Sequence, residues 1–230
     1  MTCEPEAKIQ MVLETLNVIA PTGSDREREF NFGTHCVADL YRVCLGKFRT
    51  ERIAKVIITA TTGEHGVVGS LVPIGVIELR HPFDFNKYWA SDAHQRKRLI
   101  LELIHSGMCE LALERGWEAE RLEAAYRCAL ESNLRNVQVW PTKPVSSPDR
   151  SKKAEIEYDF DADSIEGSVM VLDRAGNRRA AYHMFSLPPT DFHLSDALGK
   201  LAWEDDQTVV LKGKTGEPEW RVRLPSRLAP

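Results

Sequence analysis

The hydrophobic pattern changes period near the middle of the chain, and that change predicts the architecture. Residues 6–20 place Ile9, Val12, Leu13, Leu16, Ile19 and Ala20 at one-faced helical spacing, with Pro21 and Gly23 as a stop. A second helix is expected over residues 35–45, where Cys36, Val37, Leu40, Tyr41 and Cys44 share a side and Gly46 ends the run. Residues 52–61 and 67–79 are β-branched runs joined by Thr62-Gly63-Glu64-His65-Gly66, which reads as a hairpin. Pro73 and Gly75 suggest that the second of these strands lies at an edge or carries a bulge.

The helical signal is clearest over residues 83–134. Asp92 and Gln95 have capping-box spacing. Ile100, Leu103, Ile104, Gly107, Met108 and Leu111 form a buried stripe that stops at Gly116. A further helix over 119–132 carries Leu122, Ala125, Tyr126, Ala129 and Leu130, with Glu123 and Arg127 paired four apart. The short connection through Trp117 makes the two an antiparallel helical hairpin.

From Asn136 the period falls towards two. Strands are expected over 137–140, 154–160, 165–172, 178–187, 198–203, 208–212 and 220–224, separated by turn residues such as Asp173 to Asn177 and Gly213 to Gly216. Short consecutive strands with tight turns predict an antiparallel meander. Residues 141–153 are the one loose segment, with Pro141, Pro144 and Pro148 and a local positive charge. The predicted class is α+β: an N-terminal helix-and-hairpin unit (1–82), a helical hairpin (83–136) and a C-terminal β-meander (137–230). Residues 83–230 are expected to form one packed domain, the meander lying against the hairpin.

Composition narrows the function classes. A chain of 230 residues buries roughly 70–75% of its unfolded surface and needs no metal or disulfide to fold. The formal charge of −4 and pI near 6.0 argue against a non-specific nucleic-acid binder. No apolar run reaches the ~20 residues of a membrane helix, and the N-terminus lacks the cationic start and apolar core of a signal peptide. The five cysteines have no CxxC spacing. Cys44 and Cys109 fall on apolar helical stripes, where buried thiols are protonated and inert, and a reducing cytoplasm is the expected compartment.

Candidate chemistry is sparse. Gly213-Lys214-Thr215 shares letters with a phosphate-binding loop, but Thr208 stands where that loop needs glycine and the segment lies between strands. Gly63-Glu64-His65-Gly66 is followed by a strand rather than a helix, so it reads as a turn. Glu102 and His105 project from one helix face at the spacing of di-iron carboxylate bundles, yet no second Glu/His pair accompanies them. A half-buried structural histidine is the preferred reading of His105. The remaining histidines are scattered, without HExxH or zinc spacing. Asp191, His193, Ser195 and Asp196 lack a nucleophile elbow and read as a polar loop. Trp140 leads into the basic segment, and aromatic residues beside arginine or lysine are enriched at interfaces. The predicted contact residues are Trp140, Lys143, Arg150, Lys152, Lys153, Arg178 and Arg179.

The run Phe85-Asn86-Lys87-Tyr88-Trp89, the segment Ile100-Leu101-Glu102-Leu103-Ile104-His105-Ser106-Gly107, Gly116-Trp117, and the tail Leu198-Gly199-Lys200-Leu201-Ala202-Trp203 with Thr208-Val209-Val210-Leu211 together resemble a group of uncharacterised bacterial proteins. That resemblance spans about half the chain, rests on packing residues, and implies a bacterial cytosolic origin but no activity. The expectation is a non-enzymatic protein-binding module, immunity-like or adaptor, with no cofactor, no membrane and a protein partner. The alternative is a metal-dependent enzyme assembled around Glu102 and His105.

Overall fold

A computed structural model describes residues 10–21, 23–71 and 75–225. It is an α+β protein of two compact units, Met1–Leu134 and Arg135–Pro230.

In the first unit the residues predicted as an opening helix form two strands, β1 (Gln10–Val12) and β2 (Thr15–Ile19); residues 6–9 lie outside the described residues. Leu16, Val18 and Ala20 are buried while Asn17 and Ile19 are half-buried, so the same apolar set also fits a period of two. Pairing with other strands, invisible in a local window, decides between the two periods.

Helix α1 (Asp25–Leu45) starts ten residues before the predicted helix, at a complete capping box in which Ser24 accepts from the Glu27 amide. Its polar first turns hide the helical period, but Phe30 and Thr34 are buried there. The strands β3 (Arg49–Glu51), β4 (Lys55–Thr61), β5 (Gly66–Leu71) and β6 (Val76–Pro82) follow. β3 pairs antiparallel with β1.

The predicted hairpin between residues 52–61 and 67–79 does not form. β2, β4 and β6 run parallel, in the order β2-β4-β6-β5, and β6 lies between β4 and β5. Residues 67–79 supply two strands, with Gly75 at φ +69° leading into the second. A side chain at Gly75 would also approach the Ala54 amide nitrogen at 3.3 Å, so glycine is required there. Of the run expected at an edge or with a bulge from Pro73 and Gly75, β5 is an edge strand with an irregularity between Val67 and Gly69, while β6 is interior; Pro73 lies outside the described residues. Continuous β-branched runs are what parallel, covered strands present.

The helical layer covers one face of this sheet. After α2 (Phe85–Ala90), α3 (Ala93–Arg115) begins where Asp92 accepts from the Gln95 amide at 2.7 Å, and ends at left-handed Gly116. Helix α3 packs on β4 and β6. At Gly107 a Cβ would stand 3.0 Å from Ile58 Cδ1 and 3.2 Å from Leu79 Cδ2, so the glycine allows close approach. α4 (Ala119–Glu131) packs on α1 and α3. The hairpin stripe of Ile100, Ile104, Met108 and Leu111 is thus buried inside the first unit, and the division after Leu134 groups it with the parallel strands rather than with residues 137–230. Cys44 of α1 is joined to Cys128 of α4 in a disulfide, so the expectation of an inert thiol at Cys44 is corrected.

The second unit is the antiparallel meander the sequence predicts. β7 (Val137–Ser146), β8 (Lys152–Phe160), β9 (Ile165–Asp173) and β10 (Arg178–Leu187) form one sheet in sequential order. β11 (Lys200–Trp203), β12 (Thr208–Lys212) and β13 (Glu219–Arg223) form another. Residues 141–153 are not loose: they complete β7 past an irregularity between Trp140 and Val145, then make a tight turn into β8. α5 (Asp191–Ala197), capped by Thr190, replaces the segment read as a polar loop, whereas Gly213 to Gly216 is the turn between β12 and β13 that the sequence predicts.

One turn in this unit makes stability pH-dependent. The Asp173 carboxylate accepts from the Asn177 side chain at 3.0 Å and backbone at 2.9 Å, and from Arg179 at 2.8 Å. These bonds hold its pKa down at about 2, against 3.8 ordinarily. A lowered folded pKa adds stability above the unfolded value and loses it as pH falls through the folded one. Thermal melts of the second unit are therefore expected to drop between about pH 4 and about pH 2. Asp173→Asn should flatten part of that slope, and an unchanged slope would rule out this turn as its source.

Candidate functional site

The carboxyl ends of parallel strands open into a cavity of about 800 Å³. Ile19, Thr59 and Arg80 are register neighbours on β2, β4 and β6, and all three line it. In open parallel sheets this end of the strands is where ligands bind, because the connections diverge there and leave a crevice. The volume falls within the range of small-molecule sites.

The lining is polar on one side and aromatic on the other. Thr59, Glu78 and Arg80 point to the sheet face opposite Ile58 and Leu79, since side chains alternate along a strand. Thr59 donates to Glu78 Oε1 at 2.7 Å, which fixes that carboxylate against the sheet. Arg80 and Glu64 form an ion pair at the rim. The β4–β5 loop is held by Thr61, whose hydroxyl donates to the Glu64 carbonyl at 2.5 Å. On the α1 side, Glu27 accepts from the Ser24 amide at 2.7 Å, and the Arg26 guanidinium lies 5.9 Å over the Trp89 ring.

An aromatic group builds the opposite wall. Phe30 is fully buried and meets Phe83, Phe85 and Tyr88 at centroid distances of 5.4, 5.2 and 5.1 Å. Arg96 of α3 fixes the short helix α2 beside it, donating to the Tyr88, Ser91 and Trp89 carbonyls at 3.2, 3.0 and 3.1 Å. These are carbonyls that a helix end leaves unsatisfied. The wall is thus braced from a long helix, although α2 has only six residues. Two guanidinium groups and three carboxylates face one cavity, which suits a ligand carrying both signs of charge.

The residues picked out by sequence lie elsewhere. Glu102 pairs with Arg98 at 3.3 Å on the exposed side of α3 and does not converge with His105. The His105 ring stacks on Tyr126 at 4.4 Å, meets Glu123 Oε2 at 3.2 Å, and lies 3.3 Å from the Tyr41 hydroxyl. Cys109 Sγ lies 3.7 Å from His105 Nε2, an arrangement that invites a nucleophile reading. The electrostatics oppose it: burial, then the Glu123 charge, pushes the Cys109 thiol above its usual pKa. Burial also raises Tyr41, with Cys109 and Glu123 adding to it. The Cys109 thiol and the Tyr41 hydroxyl are therefore held protonated between α1, α3 and α4.

The basic contact set is dispersed over the second unit, where most members have partners. Arg178 meets Glu157 at 2.5 Å and Arg179 meets Asp173 at 2.8 Å. Lys153 donates to the Arg174 carbonyl at 3.1 Å, the Arg150 carbonyl accepts from Arg174 at 3.0 Å, and Lys152 lies 5.8 Å over Trp203. Lys143 is exposed and Trp140 half-buried on β7. Sequence reasoning missed the cavity because its residues come from five segments between Ile19 and Trp89. The signal available was the pair of β-branched runs, which pointed to buried parallel strands as much as to a hairpin. No family model, curated protein or solved structure matches the chain.

Proposed function

We propose that the protein is a binding module whose recognition site is the cavity at the carboxyl ends of β2, β4 and β6. Its ligand is a small polar molecule bearing both a carboxylate and an amino group, of the amino-acid or short-peptide class. The observation that carries this reading is the convergence of Arg26, Arg80, Glu27, Glu64, Glu78 and the Trp89 ring on one 800 Å³ cavity. Arginine recognises carboxylates in two-point fashion, and carboxylates beside an aromatic face suit an ammonium group. An oxidising compartment fits the Cys44–Cys128 disulfide better than a reducing one.

Thermal-shift and calorimetric screening of amino acids and dipeptides, with neutral sugars as controls, tests the reading. A binder should raise the melting temperature, and Arg80→Ala or Trp89→Ala should weaken it by at least about tenfold, about 1.4 kcal/mol. A ligand of this class whose affinity survives both substitutions would place recognition elsewhere. A panel in which only neutral compounds bind would reject the charge argument.

A further inference from the structure

Outside the cavity, His65, His81 and Glu110 each bring one ligand-type atom to within 4.8 Å of the other two. We infer that these three side chains form a binding site for a first-row divalent transition-metal ion of the zinc type. They come from three places in the first unit: His65 from the loop before β5, His81 from β6, and Glu110 from α3. His65 Nε2 lies 2.7 Å from Glu110 Oε2, and the two imidazole rings stand edge to face with centroids 5.4 Å apart.

The neutral reading is a surface ion pair with a second histidine nearby, and such pairs contribute little. His81 argues for more. Its Nδ1 lies 3.1 Å from the Pro82 carbonyl oxygen, which can only accept, so Nδ1 carries the proton there. Nε2 is then the bare nitrogen, and it faces Ser106 Oγ at 3.0 Å, one helical turn before Glu110 on α3. A metal-binding histidine is prepared in this way: a backbone carbonyl fixes the tautomer and ring plane through one nitrogen while the other points at the ion. Glu110 offers a hard anionic oxygen beside two neutral nitrogens, a donor set that zinc accepts with a fourth position left for water.

The geometry needs only a small adjustment. Ligands about 2.0–2.1 Å from a tetrahedral zinc stand roughly 3.3 Å apart. His65 and Glu110 must separate slightly from 2.7 Å, and His81 starts within 4.8 Å of both. The His65 and Glu110 side chains are 55% and 32% exposed, so both can adjust by rotation. The backbones of β6 and α3 supply the fixed part of the site. Binding would tie the β4–β5 loop to α3.

The test uses the untagged full chain, stripped of metal and titrated calorimetrically with zinc chloride near neutral pH. One equivalent is expected to bind, with release of protons from the ligating groups as the metal replaces them. His81→Ala and Glu110→Gln should each weaken it by at least about tenfold, while far-UV circular dichroism stays unchanged. Cobalt substitution should give a visible absorption band that both variants lose. Absence of saturable binding overturns the site. So does binding that both variants leave intact, which would assign the ion to other surface histidines.

Discussion

Reduction of the Cys44–Cys128 disulfide, or its replacement in a Cys44→Ser/Cys128→Ser variant, is expected to lower the stability of the first unit by about 4–5 kcal/mol. The bond closes a loop of sequence separation 84, between the end of α1 and the end of α4. A cross-link over so long a loop removes a large share of the unfolded chain's freedom, which is where most of the effect arises. For a unit of this size the melting temperature should drop by roughly 10–20 °C. Alkylation followed by mass spectrometry provides an independent reading: Cys44 and Cys128 should resist modification in denaturant until reductant is added. Modification of both without reductant would remove the bond from the account. An unchanged melting temperature after confirmed reduction would mean that packing of α1 on α4 alone holds the two helices.

This bond also shows what a single sequence can and cannot disclose. Cys128 sits on α4, which matches its predicted span closely, and Cys44 on the second half of α1, where the apolar stripe and the Gly46 stop were legible although the start of the helix was not. Caps and stripes are local, so they are readable within a dozen residues. The pairing of two cysteines across 84 positions is not local, and nothing near either one encodes it. The same contrast separates the two sheets. In the second unit neighbouring strands are neighbours in sequence, and the meander follows from the turns. In the first, β6 lies between β4 and β5, so the turn-rich segment after β4 leads to an edge rather than to a hairpin partner. Parallel pairing leaves no short-range mark beyond continuous hydrophobicity. For that reason the cavity at its carboxyl ends, and the meeting of His65 and His81 with Glu110, were unreadable, whereas the Glu102–His105 spacing was conspicuous and led to an exposed ion pair and an embedded ring.

Gly167→Ala is expected to be among the most damaging single substitutions in the second unit, although alanine is the smallest change available. Gly167 of β9 faces Phe185 of β10 across the sheet. A Cβ there would stand 2.1 to 2.4 Å from three atoms of the Phe185 ring, so the ring lies directly on the glycine backbone. Phe185 is 2% exposed and packs against Trp220 of β13 at 5.3 Å, which leaves the ring little room to withdraw. Glycine in a strand interior is itself unfavourable, and its presence here is explained by this close approach. Overpacking of this kind costs about 1–3 kcal/mol, and the confined ring puts the expected value at the upper end. A unit of about a hundred residues would then melt roughly 10–20 °C lower. Adding Phe185→Leu to Gly167→Ala should recover part of the loss, because it removes the atoms that clash. Gly63→Ala serves as the control: a Cβ there meets nothing within 4 Å, so its stability should stay close to that of the parent. If Gly167→Ala melts with the parent, or if Phe185→Leu adds its full cost on top, ring and glycine are not in the contact on which this expectation depends.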